Sequence, residues 1–155
     1  MSALIRGYQV AVTNQPIGDE LVRLEHLVQS CDWREQSFNE IILNRGLLYT
    51  VRTLQGELIA YLLLQDQTDV HEVIQISVHP NYRQQGIASH LLSLAMTDIE
   101  QTTSEGIFLE VRESNVSAIA LYQKLGFSVV GKRKNYYPTT NNERENALLM
   151  RFDLF

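Results

Sequence analysis

The stretch QISVHPNYRQQGIASHLL, from Gln75 to Leu92, decides the fold. It starts as the end of an apolar strand, turns at residues 79–82, and passes through the loop 83–88 directly into an amphipathic helix. A chain that leaves a strand, crosses a glycine and begins a helix directs several unpaired backbone N–H groups to one spot. That spot also lies at the positive end of the helix dipole. The sequence therefore predicts a binding site for phosphate or pyrophosphate.

The composition limits the class of protein. The chain has 155 residues, of which 45% are apolar and 20% charged, and this fits one globular domain over residues 1–155. The net charge of −5 disfavours a general nucleic-acid binder, so no direct nucleic-acid partner is expected.

The cysteine content and the apolar runs predict a cytoplasmic location. Cys31 is the lone cysteine, which rules out an internal disulfide or a cysteine-based zinc site and suits a reducing compartment. The longest apolar run, Leu58 to Leu64, is too short for a bilayer span, which takes about 20 residues, so no membrane partner is expected. The N-terminal residues lack the apolar core of a signal peptide.

Before the deciding stretch, the pattern predicts one strand, two helices and three further strands. The first strand covers Tyr8 to Val12, Asp19 caps the first helix, and Gly46 closes the second. The strands at residues 47–53 and 57–64 join in a hairpin at Gln55-Gly56, and the third covers residues 70–78.

After residue 86 the pattern predicts helix, strand, helix and two strands. The first helix runs to about Thr102, the strand covers Gly106 to Arg112, and Asn115 caps a helix that ends at Leu125-Gly126-Phe127. The last strands cover residues 128–136 and 147–152. The order βααβββαβαββ needs both a crossover and hairpins. We therefore expect an α/β (α+β) fold with a mixed, mostly antiparallel central sheet flanked by helices.

Two side chains after the first long helix could carry proton-transfer chemistry. In period two, Glu110 shares a strand face with Phe108 and Arg112. Glu110 could pair with Arg112 or lie at an exposed strand end, or it could act as a general base. Tyr122 has the helical spacing of a core residue, and its alternative role is a phenol that protonates a leaving group.

Other polar groups have ordinary interpretations. The loop 83–88 is neither a Walker loop nor a G-x-G-x-x-G motif, and it could be a plain turn. The run Lys132 to Lys134 reads as a solvated strand face, with contact to phosphate or the ribosome as the alternative. The histidines show no metal-ligand spacing, so no metal site is predicted.

Several motifs together resemble the GNAT superfamily of N-acetyltransferases, and most closely its branch that acetylates the N-terminal alanine of a small-subunit ribosomal protein. The matching pieces include the loop Arg83-Gln84-Gln85-Gly86-Ile87-Ala88, whose family signature is Arg/Gln-x-x-Gly-x-Gly/Ala. They continue through residues 76–80, 109–112, 114–115, 118–122, 125–127 and 135–139. The match is strong over residues 75–138 and weak over the first 70.

The resemblance implies a direct transfer from acetyl-CoA, a cosubstrate, to the α-amine of a peptide. Glu110 falls at the family's general base and Tyr122 at its general acid. The residues assigned to acetyl-CoA are Ile76, Ser77, Val78, Gln84, Gln85, Gly86, Ile87, Ala88, Ser89 and Asn115. The implied partner is the N-terminal segment of a small-subunit ribosomal protein, and we expect a monomer.

The departures from the family pattern affect the amine substrate more than the chemistry. Ala88 stands where a second glycine is common, and Gln75 and His79 replace the expected Asn and Asp. The family's Phe-Pro-Trp becomes Cys31-Asp32-Trp33. Two alternatives therefore stay open: an acetyltransferase for a small-molecule amine or a protein lysine, and a non-catalytic acetyl-CoA-binding regulatory module.

Overall fold

A computed structural model of the chain describes residues 3–5, 7–28, 33–139 and 141–154. Within these residues lie eight strands and four α-helices. They are β1 (Ala3–Ile5), β2 (Tyr8–Thr13), α1 (Glu20–Val28), α2 (Glu35–Leu43), β3 (Gly46–Thr53), β4 (Leu58–Asp66), β5 (His71–Val78), α3 (Ile87–Glu100), β6 (Gly106–Arg112), α4 (Val116–Lys124), β7 (Ser128–Pro138) and β8 (Arg144–Asp153). A 3-10 turn, Pro80–Tyr82, follows β5. The predicted order is confirmed, and β1 and the 3-10 turn are additions to it.

All eight strands join one sheet in the order β1-β2-β3-β4-β5-β6-β8-β7. Every neighbouring pair is antiparallel except β5 and β6, which are parallel. The predicted mixed, mostly antiparallel sheet is therefore confirmed. β4 lies between β3 and β5, and residues 58–64 are buried on both faces, which explains why that strand reads as an unbroken apolar run.

The sheet splits between β5 and β6. These two strands pair only at His71↔Ile107 and Glu72↔Phe108. On the other edge of β5, the register with β4 shifts so that Ile74 has no partner residue. Such a bulge adds one residue to one strand and bends it. The bend carries β5 away from β6 beyond Glu72 and opens a cleft within the sheet.

Helices cover both faces of the sheet. On one face, which we call the α3/α4 face, α3 and α4 pack on a core that includes Leu62, Leu64, Ile87, Leu91, Leu109, Val111, Tyr122 and Phe127. On the opposite, α1/α2 face, a second core contains Leu21, Leu24, Phe38, Ile42, Leu48, Leu58, Tyr61 and Leu63. Alternate residues of each strand therefore meet different helices.

The predicted helix ends agree with the structure at α4 and differ at α2. Phe127 N–H donates to the Tyr122 carbonyl and Gly126 N–H to the Gln123 carbonyl, as in a Schellman motif. At the end of α2, Arg45 and not Gly46 takes the positive φ, of 62°. Gly46 is needed for a different reason, because a Cβ there would lie 2.6 Å from the Ile41 carbonyl oxygen.

Candidate active site

A cleft of about 800 Å³ occupies the gap between β5 and β6. It is bordered by the loop before α3, by the start of α4 and by Tyr137 of β7. The residues predicted from the sequence that line it are Ile76, Ser77, Val78, Gln84, Gly86, Ile87, Ala88, Ser89, Glu110, Asn115 and Tyr122. The fold thus brings together residues from β5, α3, β6 and α4 that are distant in sequence.

The N-terminal end of α3 has the geometry of an anion site. Gly86 is its N-cap, with φ 76°, and Gln84 also has a positive φ, of 62°. The first bond of the helix runs from His90 N–H to the Gly86 carbonyl, at 3.0 Å. The preceding N–H groups, of residues 87–89, therefore have no partner within the helix and lie at the positive end of its dipole. This loop can bind phosphate groups.

Gln85 is the predicted site residue that does not line the cleft. Its Oε1 atom accepts a hydrogen bond of 2.8 Å from the Tyr8 hydroxyl. Gln85 thereby links the loop to β2. Arg83, which was not assigned to the site, does line the cleft, and its Nε donates to the Val78 carbonyl at 3.2 Å. In this loop, the Gln85 side chain therefore holds the loop against β2, whereas Arg83 faces the cleft.

Glu110 lies on the α1/α2 face, because its neighbours Leu109 and Val111 are buried on the other face. Its Oε1 accepts a bond of 2.9 Å from Nη1 of Arg133 on β7. The expected alternative of a pair with Arg112 is therefore wrong. Arg112 instead bonds to Glu145 on β8, at 2.9 Å. Both ion pairs join strands that sequence spacing alone does not relate.

Tyr122 reaches the cleft from the opposite face of the sheet. It belongs to the core on the α3/α4 face, is only 7% exposed, and packs against Phe127 with ring centroids 6.0 Å apart. Burial, with a smaller contribution from Tyr137, raises the pKa of Tyr122 to about 12. Its hydroxyl therefore keeps its proton at neutral pH. The core position expected from spacing is correct, and the residue borders the cleft as well.

Asn115 has a structural role at the start of α4. Its Oδ1 accepts a bond of 3.3 Å from the Ala118 N–H, so the predicted N-cap is confirmed. The residue also lines the cleft. Its side chain is thus fixed by the helix that it caps.

Tyr137 and Trp33 border the cleft but were not assigned to the site. In β7 the register shifts between Arg133 and Tyr137, and Asn135 adopts a positive φ of 52°. The Arg112 guanidinium stacks over the Tyr137 ring, with its central carbon 4.4 Å from the ring centroid. Trp33 packs on Phe38 with ring centroids 4.9 Å apart, whereas Cys31 and Asp32 lie outside the described residues. The face of the sheet on which Tyr137 lies could not be predicted from strand alternation, because the register shift interrupts the alternation.

Two further titratable groups, Lys132 and His71, have structural partners. Residues 132–134 are exposed, as predicted for a solvated strand face, and Lys132 bonds to Glu113 at 3.3 Å. Burial lowers the pKa of His71, which contacts the Ser104 hydroxyl at 3.0 Å. Among the residues described, no three metal-binding side chains are grouped. In the same part of the chain, no helix has the length and apolar content to cross a bilayer.

Comparison with known proteins identifies the family to which the chain is similar. The model of the acetyltransferase (GNAT) family matches residues 17–127. The ribosomal protein bS18-alanine N-acetyltransferase of Escherichia coli K12 is 35% identical over 127 residues, which cover 82% of this chain and 84% of that protein. The crystal structure of the ribosomal-protein-S18-alanine N-acetyltransferase from Escherichia coli superposes with a TM-score of 0.84 at 31% identity, and covers 94% of both chains.

A third comparison concerns the fold alone. A GNAT family acetyltransferase from Elizabethkingia anophelis, solved with acetyl-CoA bound, gives a TM-score of 0.74 at 22% identity. The match covers 95% of this chain and 98% of that one. The two proteins therefore share the same overall fold.

Proposed function

Because this chain belongs to the acetyltransferase (GNAT) family, we propose that it transfers the acetyl group of acetyl-CoA to the α-amine of an N-terminal alanine. The substrate that we propose is the N-terminal segment of a small-subunit ribosomal protein. The curated relative that shares 35% identity acts on the alanine of ribosomal protein bS18. We further propose that the chain works as a single cytoplasmic N-acetyltransferase domain and as a monomer.

The observation that carries this proposal is the cleft between β5 and β6, which Glu110 and Tyr122 border from opposite faces of the sheet. A transfer reaction needs a base beside the incoming nucleophile and an acid beside the departing group. Two titratable groups on opposite sides of one opening meet that need.

Acetyl-CoA fits the α3/α4 side of this cleft. Its pyrophosphate would bind the free N–H groups that begin α3, at residues 87–89, in the turn formed by Gln84 and Gly86. The edge of β5 that has left β6, at residues 76–78, offers backbone groups for the extended part of the cofactor. Asn115 and Tyr122 then lie near the other end, at α4.

The reaction proceeds by direct attack within a ternary complex. A peptide α-amine has a pKa of about 8, so most of it is protonated at neutral pH and cannot attack. Glu110 accepts the excess proton, through a water molecule. The amine lone pair then forms the N–C bond at the thioester carbonyl, with a backbone N–H near Val78 stabilising the oxyanion. The C–S bond breaks as the carbonyl re-forms, and Tyr122 protonates the CoA thiolate. The attacking nitrogen then loses its second proton, which passes through water to the Tyr122 phenolate and leaves a neutral amide.

The test is incubation of the protein and acetyl-CoA with a panel of peptides, read by site-resolved mass spectrometry. We expect acetylation at the α-amine of peptides that begin with alanine, and no reaction of the same peptides with a blocked α-amine. Modification of internal lysines, or of small amines alone, would assign the protein to the alternative substrate classes. Acetyl-CoA binding without any transfer would support a regulatory module.

A further inference from the structure

Glu25 is a buried carboxylate that the proposed reaction does not use. It lies on α1, is 0% exposed, and faces the sheet next to the cleft. Within the part of the chain that the structure describes, three side chains donate hydrogen bonds to it. The Tyr61 hydroxyl donates to Oε1 at 2.5 Å, the Ser77 hydroxyl donates to the same oxygen, and the Gln75 amide donates to Oε2 at 3.1 Å.

These bonds determine what Gln75 and Ser77 can offer to the cleft that they both line. A serine hydroxyl has a single proton, and that of Ser77 is directed to Glu25, so its oxygen can only accept from any other partner. A carboxylate is an acceptor, so Gln75 must turn its NH₂ towards Glu25 and keep its carbonyl oxygen for another donor. The two side chains therefore present hydrogen-bond acceptors.

The bulge brings Gln75, the first residue of this pair, level with Glu110. The last pair of the parallel ladder is Glu72↔Phe108, and Ile74 is the extra residue of β5. When Ile74 is left out of the alignment, Gln75 falls opposite Glu110. Both residues lie on the α1/α2 face, because Gln75 contacts α1 and Glu110 points away from the core under α3 and α4.

From this arrangement, and resting on the proposed function, we propose that Gln75 and Ser77 bind the amino group of the amine substrate, and that Glu25 is the positioning residue that fixes both as acceptors. A protonated amine carries three N–H donors and no acceptor. It would donate to Gln75 and Ser77 across the cleft from Glu110, which takes its excess proton.

The test measures peptide and cofactor affinities separately. Ser77→Ala and Gln75→Met each remove one acceptor, and Glu25→Gln supplies an amide that can itself donate and so releases both acceptors from their fixed orientation. We expect each variant to raise the KM for an alanine-terminated peptide by about tenfold, the effect of one hydrogen bond to a charged group. The Kd for acetyl-CoA, measured by calorimetry, should stay within about twofold, because Ser77 contributes to the proposed cofactor site through its backbone, which Ser77→Ala keeps.

A second readout isolates the amino group. Calorimetry in the presence of CoA compares the alanine-terminated peptide with its propionyl counterpart, which has a methylene group without nitrogen at that position. The wild-type protein should prefer the amine by about tenfold, and Ser77→Ala should remove most of this preference. A loss of stability alone would weaken both peptides equally.

Tyr61→Phe is the matched control. It removes a bond to the same Glu25 oxygen, but Tyr61 is 0% exposed and does not line the cleft. Its amine preference should equal that of the wild type.

Three results would overturn the proposal: an unchanged peptide KM in folded Ser77→Ala and Gln75→Met, an amine preference that survives in both, or a loss of acetyl-CoA affinity in place of peptide affinity. If Glu25→Gln does not fold, Ser77→Ala and Gln75→Met test the proposal without it. Failure of the proposed function would appear earlier, as wild-type protein that does not acetylate alanine-terminated peptides.

Discussion

Arg133 holds the carboxylate of Glu110 across two strands that are not neighbours in the sheet. Its Nη1 lies 2.9 Å from Glu110 Oε1, while its guanidinium stacks over the Tyr136 ring at 3.8 Å from the centroid. β8 separates β6 from β7, so the arginine side chain reaches over it. One oxygen of Glu110 is thereby fixed, and the other stays available for water or an amine.

Arg133→Ala should therefore lower kcat while changing the free energy of unfolding only slightly. The arginine side chain is 48% exposed, and ion pairs this exposed contribute little to the free energy of unfolding. Loss of the fixed Glu110 orientation should reduce kcat by up to about tenfold. Steady-state kinetics and thermal unfolding measure the two effects. Lys132→Ala, which removes the neighbouring cation and its pair with Glu113, is the control. Faster turnover in Arg133→Ala would mean that the arginine masks the base.

Glu110→Gln should lower turnover steeply near neutral pH. The amide cannot accept the proton of the ammonium group, and general-base catalysis contributes about 10²- to 10⁴-fold. Activity should partly return at high pH, where the amine loses its proton to solvent. The pH dependence of kcat/KM between pH 6 and 10, at about one-unit steps, measures this recovery. A variant that is equally impaired at every pH would argue against the base role.

Tyr122→Phe should lower kcat and leave the affinity for acetyl-CoA nearly unchanged. In the proposed reaction the phenol supplies a proton to the thiolate only after attack, so the ground-state complex should not depend on it. Single-turnover kinetics with calorimetry separate the two quantities. Tyr136→Phe is the matched control, because it removes the hydroxyl of an exposed tyrosine on β7. Unchanged turnover in Tyr122→Phe would remove the residue from the mechanism.

The raised pKa of Tyr122 also predicts a pH dependence of stability. The folded protein holds the phenol proton up to a pKa of about 12, whereas the unfolded chain releases it near 10. The wild type therefore carries stability from Tyr122 below pH 10 and loses it as the pH rises towards 12. The Phe variant lacks this contribution. Urea unfolding of both proteins at about pH 8 and 11 should show the wild type losing more stability, and parallel curves would contradict the assignment.

Gly86→Glu should abolish acetyl-CoA binding. A side chain at φ 76° is strained, and a carboxylate there would repel phosphate at the beginning of α3. Gly56→Glu makes a matched control, because Gly56 has φ 93° and equally open surroundings but lies in the hairpin between β3 and β4. Calorimetry should show binding by the control and none by Gly86→Glu. Binding by both, with folding confirmed by circular dichroism, would disprove the loop assignment.

The sequence predicted the features that depend on local pattern. The order of elements, the cap at Asn115 and the Schellman end at Gly126 follow from residue types within a few positions of each other. The alternation of Glu110 with Leu109 and Val111 likewise gave its face correctly.

Features set by contacts between distant strands were not predictable in the same way. The partner of Glu110 lies on β7, and the bond of Gln85 reaches back to Tyr8. The bulge at Ile74 leaves no local signal, because Val73 and Ile76 on either side continue the apolar content of the strand. The pattern predicts that Gly46 closes the second helix, because glycine commonly follows the end of a helix. Here close packing against Ile41 requires the glycine, and Arg45 takes the turn.

β5 and β6 are joined by two residue pairs, and this junction separates the sheet into two parts that can open independently. The strands before it and those after it each form their own continuous ladder, and few backbone hydrogen bonds hold the two ladders together. Local opening should therefore begin at this seam, and the amides beside it should exchange with solvent earlier than those of β3 or β4. A ligand that spans the seam would hold the two ladders together, so that they unfold as one cooperative unit.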